Sequence, residues 1–394
     1  MSTILMAAYT NYRRDPRVRR EAECLIEAGY RVVFLARRQP GEPHRETIAG
    51  VDVIKLPGLK NPRTSALLYV LDYGVFFLLI NLHLLLHPAR YRLLHINNMP
   101  DFLVFATWLQ RLVGRPVILD VHDLMPELYS EKFGFGKGKQ VIWLLQFQER
   151  WAGRFASAVL TVEERLRAIL SARGIAREKI HVLMNLPDEQ VFAPRTPLGA
   201  KDVNAAFVIV YHGTLAYRLG LDVAIEAVAR ARRQIPRIEL RIIGAGEERE
   251  RLISLRDRLG VRESVVFSDG FVRVDQIPQL LADADVGLVP LRISSGTDIM
   301  LPTKLLEYVS MGIPCIVPRT GTICRYFDED MVRFFEAEDA DSLADAIIEL
   351  YENPQRRAEL GRAATERFGR THRWSEHKNV YLQLVDGLIR GSVK

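Results

Sequence analysis

The sequence predicts an α/β protein built as two parallel-sheet domains with a cleft between them, and three observations carry that prediction. Apolar, strand-like runs alternate with longer helical patterns along the chain. The alternation breaks and restarts near residue 190. At 394 residues and 48% hydrophobic content, the chain exceeds what one core usually serves.

In the first half, residues 2–9, 31–36 and 51–56 read as strands. A helix over 17–28 places Val18, Ala22, Leu25 and Ile26 on one face and stops at Gly29. Strands at 93–96, 116–121, 158–161 and 180–183 follow, separated by helices near 100–113, 139–155 and 163–172. A loop with Pro and Gly over 193–199 marks the boundary, which gives a first domain of 1–190 and a second domain of 191–373, followed by a helix at 374–394. Within the second, strands at 207–212, 239–243, 265–267, 286–291 and 314–318 alternate with helices at 221–235, 247–259, 276–284, 303–311 and 340–352. Ligands of such sheets bind outside the carboxyl ends of the strands, so residues just after strands carry the functional weight.

Residues 65–87 are long and apolar enough to span a bilayer on length, but Asp72, Asn81 and His83 interrupt them. Two readings stay open: an interfacial helix in contact with a membrane, or a buried helix of the first domain. His83 and His87 stand at i,i+4, a spacing zinc can use, yet their apolar surroundings favour packing. Net charge is +6, divided as +8 over residues 1–200 and −2 over 201–394. The arginine cluster between residues 13 and 38 suits an anionic membrane surface or a phosphorylated substrate. Nucleic acid is not expected as a partner, because no aromatics interleave with that cluster and no nucleic-acid module is present. Cys24, Cys315 and Cys324 form no CxxC pair or zinc spacing, and the first six residues lack a basic leader. A cytoplasmic protein, possible at the inner membrane face, is the expectation.

Three segments point to chemistry. Tyr211-His212-Gly213-Thr214 follows a strand and leads through Arg218 to a helix start, where a bare backbone and a cation suit phosphate; a plain turn is the alternative. Gly244-Ala245-Gly246 resembles a dinucleotide fingerprint, but Arg249 stands where the third glycine belongs, which argues against NAD. In Pro302-Thr303-Lys304-Leu305-Leu306-Glu307-Tyr308, Lys304 falls in the first turn of a helix, a position that costs a cation a few tenths of a kcal/mol unless an anion shares it. Lys304 with Glu307 reads as a phosphate contact beside a hydroxyl contact, or as a surface i,i+3 ion pair.

These segments, with residues 15–22 (Asp-Pro-Arg-Val-Arg-Arg-Glu-Ala) and 121–127 (Val-His-Asp-Leu-Met-Pro-Glu), resemble glycosyltransferase family 4, over nearly the whole chain. The resemblance implies the GT-B fold, two Rossmann-like domains with a C-terminal helix crossing back to the first. It also implies a retaining transferase that moves a sugar, expected to be a hexose, from a nucleotide diphosphate sugar to a glycan or lipid-linked acceptor in polysaccharide or glycolipid assembly, with no metal. By resemblance, His122 meets the transferred sugar, Arg218 and Lys304 neutralise the diphosphate, and Glu307 holds the ribose hydroxyls. Gly213, Thr214, Phe271, Val272, Arg273, Asp298, Ile299 and Thr303 complete the donor side; Arg17, Asp123 and Glu127 belong to the acceptor side. The family's first Glu of a Glu-x7-Glu pattern falls here on Ile299, with Asp298 one place off, so the backbone amides of residues 296–299 are expected to take over sugar contacts. Thr214 and Leu219 stand where many relatives carry a basic residue, which leaves Arg218 as the main cation of its loop. A nucleotide-sugar epimerase and an inactive donor-binding scaffold are the alternatives.

Overall fold

The structure is a computed structural model that describes residues 2–59, 66–133, 138–195 and 205–391. Residue 65 of the apolar stretch, residues 196–199 of the expected linker and residues 392–394 of the terminal helix lie outside the described residues. The chain divides into two compact units, Met1–Asn185 with Glu376–Lys394, and Leu186–Ser375.

The first unit is built on β1 (Thr3–Ala8), β2 (Arg31–Arg37), β3 (Arg45–Ile48), β4 (Val51–Leu56), β5 (Leu93–Asn97), β6 (Val117–Val121), β7 (Ala158–Thr161) and β8 (Ile180–Val182). They form one sheet in the order β3-β4-β2-β1-β5-β6-β7-β8. All pairs are parallel except β3 with β4. Strands β5, β6 and β7 are buried at every position, the pattern of a parallel sheet covered on both faces. The chain runs outward from β1 to β2 and β4 and then returns to β5, so the order reverses between β1 and β5. Strand β3 escapes the sequence reading because it is a short edge with alternating exposure, tied to β4 by Arg45 and Asp52. The helix expected over 100–113 is a 3-10 helix, Asp101–Thr107, running into a single α-helical stretch, Trp108–Leu112.

The apolar stretch forms the helix Ala66–Leu86, and its two faces differ. Asp72, Tyr73, Phe76, Ile80 and Leu84 are buried, whereas Leu67, Leu71, Leu78, Leu82 and Leu86 are exposed. The polar interruptions all point inward: Asp72 pairs with Arg37 at 2.6 Å and accepts from the Leu59 amide and from Tyr9, Asn81 donates to the Ala106 carbonyl at 3.1 Å, and His83 Nε2 lies 2.6 Å from the Tyr91 hydroxyl. His83 and His87 stack at 4.6 Å, and His87 Nδ1 lies 2.8 Å from the His83 carbonyl. Packing accounts for the pair. The helix Trp374–Arg390 is held to this unit by Tyr381, whose hydroxyl is 2.8 Å from His95 Nδ1, by Lys378 to Glu27 at 3.1 Å, and by Asp386 to Tyr30.

The second unit holds a six-stranded sheet in the order β11-β10-β9-β12-β13-β14. Its strands are β9 (Phe207–His212), β10 (Ile238–Ile243), β11 (Val265–Phe267), β12 (Val286–Leu288), β13 (Cys315–Pro318) and β14 (Arg333–Phe335), all parallel. The order reverses between β9 and β12, so the carboxyl ends of these two neighbours frame the crevice where such a sheet takes its ligand.

Candidate active site

At that reversal the second unit gathers Gly213, Arg218, Lys304 and Glu307. Gly213 follows β9 with φ +126°, a conformation glycine adopts without strain, and a Cβ there would touch Lys304 Cε at 3.5 Å. The next loop presses closer still. Gly244, after β10, has φ +143°, and a Cβ on it would stand 1.9 Å from the Gly213 carbonyl oxygen. The second glycine-rich turn therefore supports the first by close backbone approach, which is the physical reason for glycine at a place that resembled a dinucleotide motif. Arg218 sits in the 3-10 turn Tyr217–Leu219, ahead of the helix Leu221–Ala231. Its Nη1 is buried and has no hydrogen-bond partner among the described residues. A buried guanidinium nitrogen left in that state suits an anion.

Lys304 lies in the first turn of the helix Thr303–Ser310, which Pro302 starts. Its Nζ rests 4.8 Å from the centroid of the Tyr211 ring. Burial pushes the ammonium down to about 8; Glu307 opposes the shift and Arg218 adds to it. Lys304, Arg218 and Glu307 thus share one electrostatic neighbourhood. Glu307 Oε2 lies 3.1 Å from His212 Nε2, and burial, aided by Lys304, lowers His212 to about 3. Sequence reasoning did not assign His212 a role; its place as the last residue of a strand before Gly213 was the available signal.

The remaining donor-side residues divide. Thr214 is exposed, and its carbonyl accepts from the Tyr211 hydroxyl at 2.6 Å; Thr303 is exposed at the helix start. The loop carrying Phe271, Val272 and Arg273 is tied to the same sheet end by Ser268, whose hydroxyl accepts from the Gly244 amide at 2.9 Å and donates to the Gly270 carbonyl at 3.1 Å. Phe271 is exposed, Val272 half-buried, and Arg273 pairs with Asp275. Asp298 is half-buried, and its Oδ1 accepts from the Gly321 amide at 2.6 Å. The expected backbone contacts at residues 296–299 keep Gly296 and Ile299 and lose two amides, because those of Thr297 and Asp298 donate to Ser294 Oγ and the Ser294 carbonyl. That turn spends those amides on itself.

In the first unit, Asp15 caps the helix Pro16–Glu27 and grips Arg17 with both oxygens at 3.0 Å. Arg17 Nη1 reaches Asp123 Oδ2 at 3.7 Å, so two of the three acceptor-side residues meet. Glu127 does not belong to this pair: its carboxylate is taken by Arg173, which also holds Glu149 at 3.0 Å. His122 follows β6, with its amide donating to Asn98 Oδ1 at 3.1 Å and Nε2 2.9 Å from Asp120 Oδ2. Behind it lies a buried group that sequence reasoning missed. Asp120 also faces His95 Nε2 at 3.5 Å, and Glu21 stands close enough for burial and Asp120 to raise its carboxyl well above the usual range. One ligand atom each of Glu21, Asp120 and His122 falls within 4.8 Å of the others, a spacing that fits a metal ion. His122 and His95 lower Asp120 against its burial, while Glu21 Oε2, His95 Nε2, Asp120 Oδ2 and His122 Nδ1 are buried without a hydrogen-bond partner among the described residues.

Two family profiles match the chain: "Glycosyl transferase 4-like domain" over residues 15–185 and "Glycosyl transferases group 1" over 201–367. The chain belongs to glycosyltransferase family 4. Among curated proteins it is similar to a GDP-mannose-dependent alpha-(1-6)-phosphatidylinositol monomannoside mannosyltransferase of Mycolicibacterium smegmatis, 32% identical over 39% of this chain and 41% of that one. A putative colanic acid biosynthesis glycosyltransferase of Escherichia coli is 31% identical over 44% of this chain and 38% of the relative. The matched stretch thus spans about two fifths of these relatives' length. Sucrose-phosphate synthase from Thermosynechococcus elongatus superposes with a TM-score of 0.75 at 18% identity, covering 99% of this chain and 100% of that one. An Anabaena protein solved in complex with UDP-glucose gives 0.72 at 17% identity, covering 98% and 100%. The fold is GT-B.

Proposed function

We propose that the protein is a retaining hexosyltransferase, moving a sugar from a nucleotide diphosphate donor held by the second unit to a glycan or lipid-linked acceptor. The observation that carries this reading is the gathering of Arg218, Lys304 and Glu307 around Gly213 at the β9/β12 reversal. Breaking the donor's anomeric bond builds negative charge on the leaving diphosphate and positive character on the ring. Two pre-placed cations, one with an unsatisfied buried nitrogen, stabilise that leaving group without reorganising in the reaction. Glu307, beside a neutral imidazole, is a hydrogen-bond acceptor for the ribose hydroxyls. In the first unit, Arg17 and Asp123 offer polar partners to the acceptor and His122 to the transferred sugar.

No metal takes part in this reading, since the two cations perform the charge neutralisation a metal would otherwise supply. We place the protein in the cytoplasm, at the inner membrane face. Two buried cysteines and one exposed, all free, suit a reducing compartment, and the leucine face of the helix Ala66–Leu86 suits a lipid surface.

A thermal-shift panel of nucleotide diphosphate sugars tests donor binding, and release of free nucleoside diphosphate in EDTA, with and without acceptor lipid extract, tests transfer. A donor that raises the melting temperature and is consumed with acceptor in EDTA supports the reading. Binding without turnover against any acceptor returns the scaffold alternative.

A further inference from the structure

We infer that the first unit carries a lipid-docking face made of three adjacent helices, with a basic pocket at its edge that takes the phosphate of an anionic lipid headgroup. The inference deepens the membrane placement proposed above and stands apart from the transfer chemistry.

The helix Lys139–Phe155 supplies the centre. Trp143, Phe147 and Trp151, spaced four residues apart, lie on one face with their rings in a row, 5.6 Å and then 5.9 Å between centroids. All three are exposed, at 64%, 46% and 48%, and Leu144 beside them at 57%. A helix that turns a ladder of large aromatics outward gives up burial energy it would recover against an apolar partner. The opposite face is satisfied: Glu149 and Ala152 are buried, and Glu149 pairs with Arg173.

Two neighbouring helices also turn apolar side chains outward. Arg111, in Trp108–Leu112, donates to the Phe155 carbonyl at 3.2 Å, and Gln110 of the same helix donates to the Leu84 carbonyl at 3.1 Å, which joins it to the helix Ala66–Leu86. Along this path Trp108, Leu112, Val113, Leu82, Leu85 and Leu86 are exposed. Crossing the bilayer would tear Asp72 from Arg37, so the long helix lies on a surface and does not span it.

Charge selects the occupant. Beside the C-terminal end of the aromatic helix, Arg154, Gly174, Arg177 and Lys179 line an open pocket of about 410 Å³. Lys179 Nζ donates to the carbonyls of Arg154 and Ala156 at 3.1 and 3.0 Å, and Arg111 stands near enough to lower its ammonium after burial. Glu178 is the carboxylate that Lys179 feels in return. A protein partner would have to match this cationic edge and the leucine and tryptophan face with separate features. An anionic bilayer presents both, phosphates at the depth of the cations and acyl chains beneath the aromatics.

The test floats full-length protein with vesicles of phosphatidylglycerol and phosphatidylcholine, and with phosphatidylcholine alone. Wild type is expected to float with the anionic vesicles, with a blue shift of tryptophan emission. The double variant Trp143→Ser, Trp151→Ser and, separately, Arg177→Glu are expected to lose on the order of tenfold in partitioning while keeping the wild-type melting temperature and donor affinity. Protein that stays at the bottom with both vesicles overturns the proposal. So does self-association in gel filtration that the tryptophan variant abolishes, because a second copy would then cover the face. Flotation by a protein inactive in transfer would leave the docking face standing and sink only the proposed reaction.

Discussion

His212 Nε2 lies 3.1 Å from Glu307 Oε2, joining the last residue of β9 to the helix Thr303–Ser310. Burial lowers the imidazole to about 3, with Lys304 adding to the shift, so at neutral pH the ring is uncharged and the contact is not an ion pair. The ring therefore stands beside the carboxylate without cancelling its charge, and its Nε2 makes no hydrogen bond among the described residues.

That relationship yields a split in kinetic constants. Glu307→Ala removes the acceptor for the ribose hydroxyls, and charge-assisted bonds of this kind contribute roughly 1.5–3 kcal/mol, about 10- to 100-fold in donor affinity. His212→Gln, which keeps an amide near the carboxylate, is expected to raise the donor KM by less and to leave kcat close to wild type. Steady-state kinetics with varied donor would expose an error in either assignment: a fall in kcat at unchanged KM for both variants contradicts a ribose-holding role.

Lys304 gives a pH dependence with a definite sign. Its ammonium is depressed to about 8 by burial, with Arg218 adding and Glu307 opposing, so the free protein loses this cation as pH rises through 8. A bound diphosphate favours the protonated form, and binding is then accompanied by proton uptake. Nucleoside diphosphate affinity should be flat between about pH 7, above the titration of the terminal phosphate, and that pH, and fall with a limiting slope of about tenfold per pH unit above it. Calorimetry in buffers of different ionisation enthalpy reads the uptake directly. Lys304→Ala should flatten the profile and reduce kcat about a hundredfold, the usual cost of removing one charge-stabilising donor.

Gly244 supplies a backbone test. Its φ of +143° and a Cβ position 1.9 Å from the Gly213 carbonyl leave no room for alanine. Gly244→Ala should cost about 2–4 kcal/mol of stability and shift the Gly213 loop, weakening donor binding with it. Gly260→Ala is the control, since Gly260 also has positive φ, at +63°, but nothing lies within 4 Å of its Cβ position. It should cost only about 1–2 kcal/mol, the αL penalty alone, and leave donor affinity unchanged. Equal losses in urea titrations of the two would mean that the close approach carries no energy.

The contrast between those glycines shows what was readable in the sequence. Strand ends were, because buried parallel strands are continuous apolar runs and the functional residues follow them: Gly213 after β9 and His122 after β6 lie where the pattern put them. Long-range pairing was not. Glu127 looked available in a motif, but Arg173, 46 residues away, takes its carboxylate; one oxygen of Asp298 likewise accepts from the Gly321 amide, 23 residues on. The buried group of Glu21, His95 and Asp120 draws on a helix and two strands far apart in the chain, and its members read locally as helix and strand filler. Periodicity reports burial and cannot report which buried polar groups will meet.

Asp72 shows the same effect with a measurable consequence. In the sequence it interrupts an apolar run; in the fold it is fully buried beneath Arg37, at 2.6 Å, with Tyr9 and the Leu59 amide as further donors. Burial pushes its carboxyl up, but those donors outweigh it and hold it below the ordinary value. Because the folded value is depressed, the contribution is present above the unfolded carboxylate range near ~4 and disappears as pH falls through the lower folded value. Asp72→Ala leaves Arg37 buried and unpaired, a loss of roughly 3–5 kcal/mol near neutrality. The stability gap between wild type and Asp72→Asn, followed by urea unfolding, should narrow as pH is lowered through that range. A gap that stays constant from neutral to acid pH would mean the carboxylate's charge does not hold this helix to the sheet.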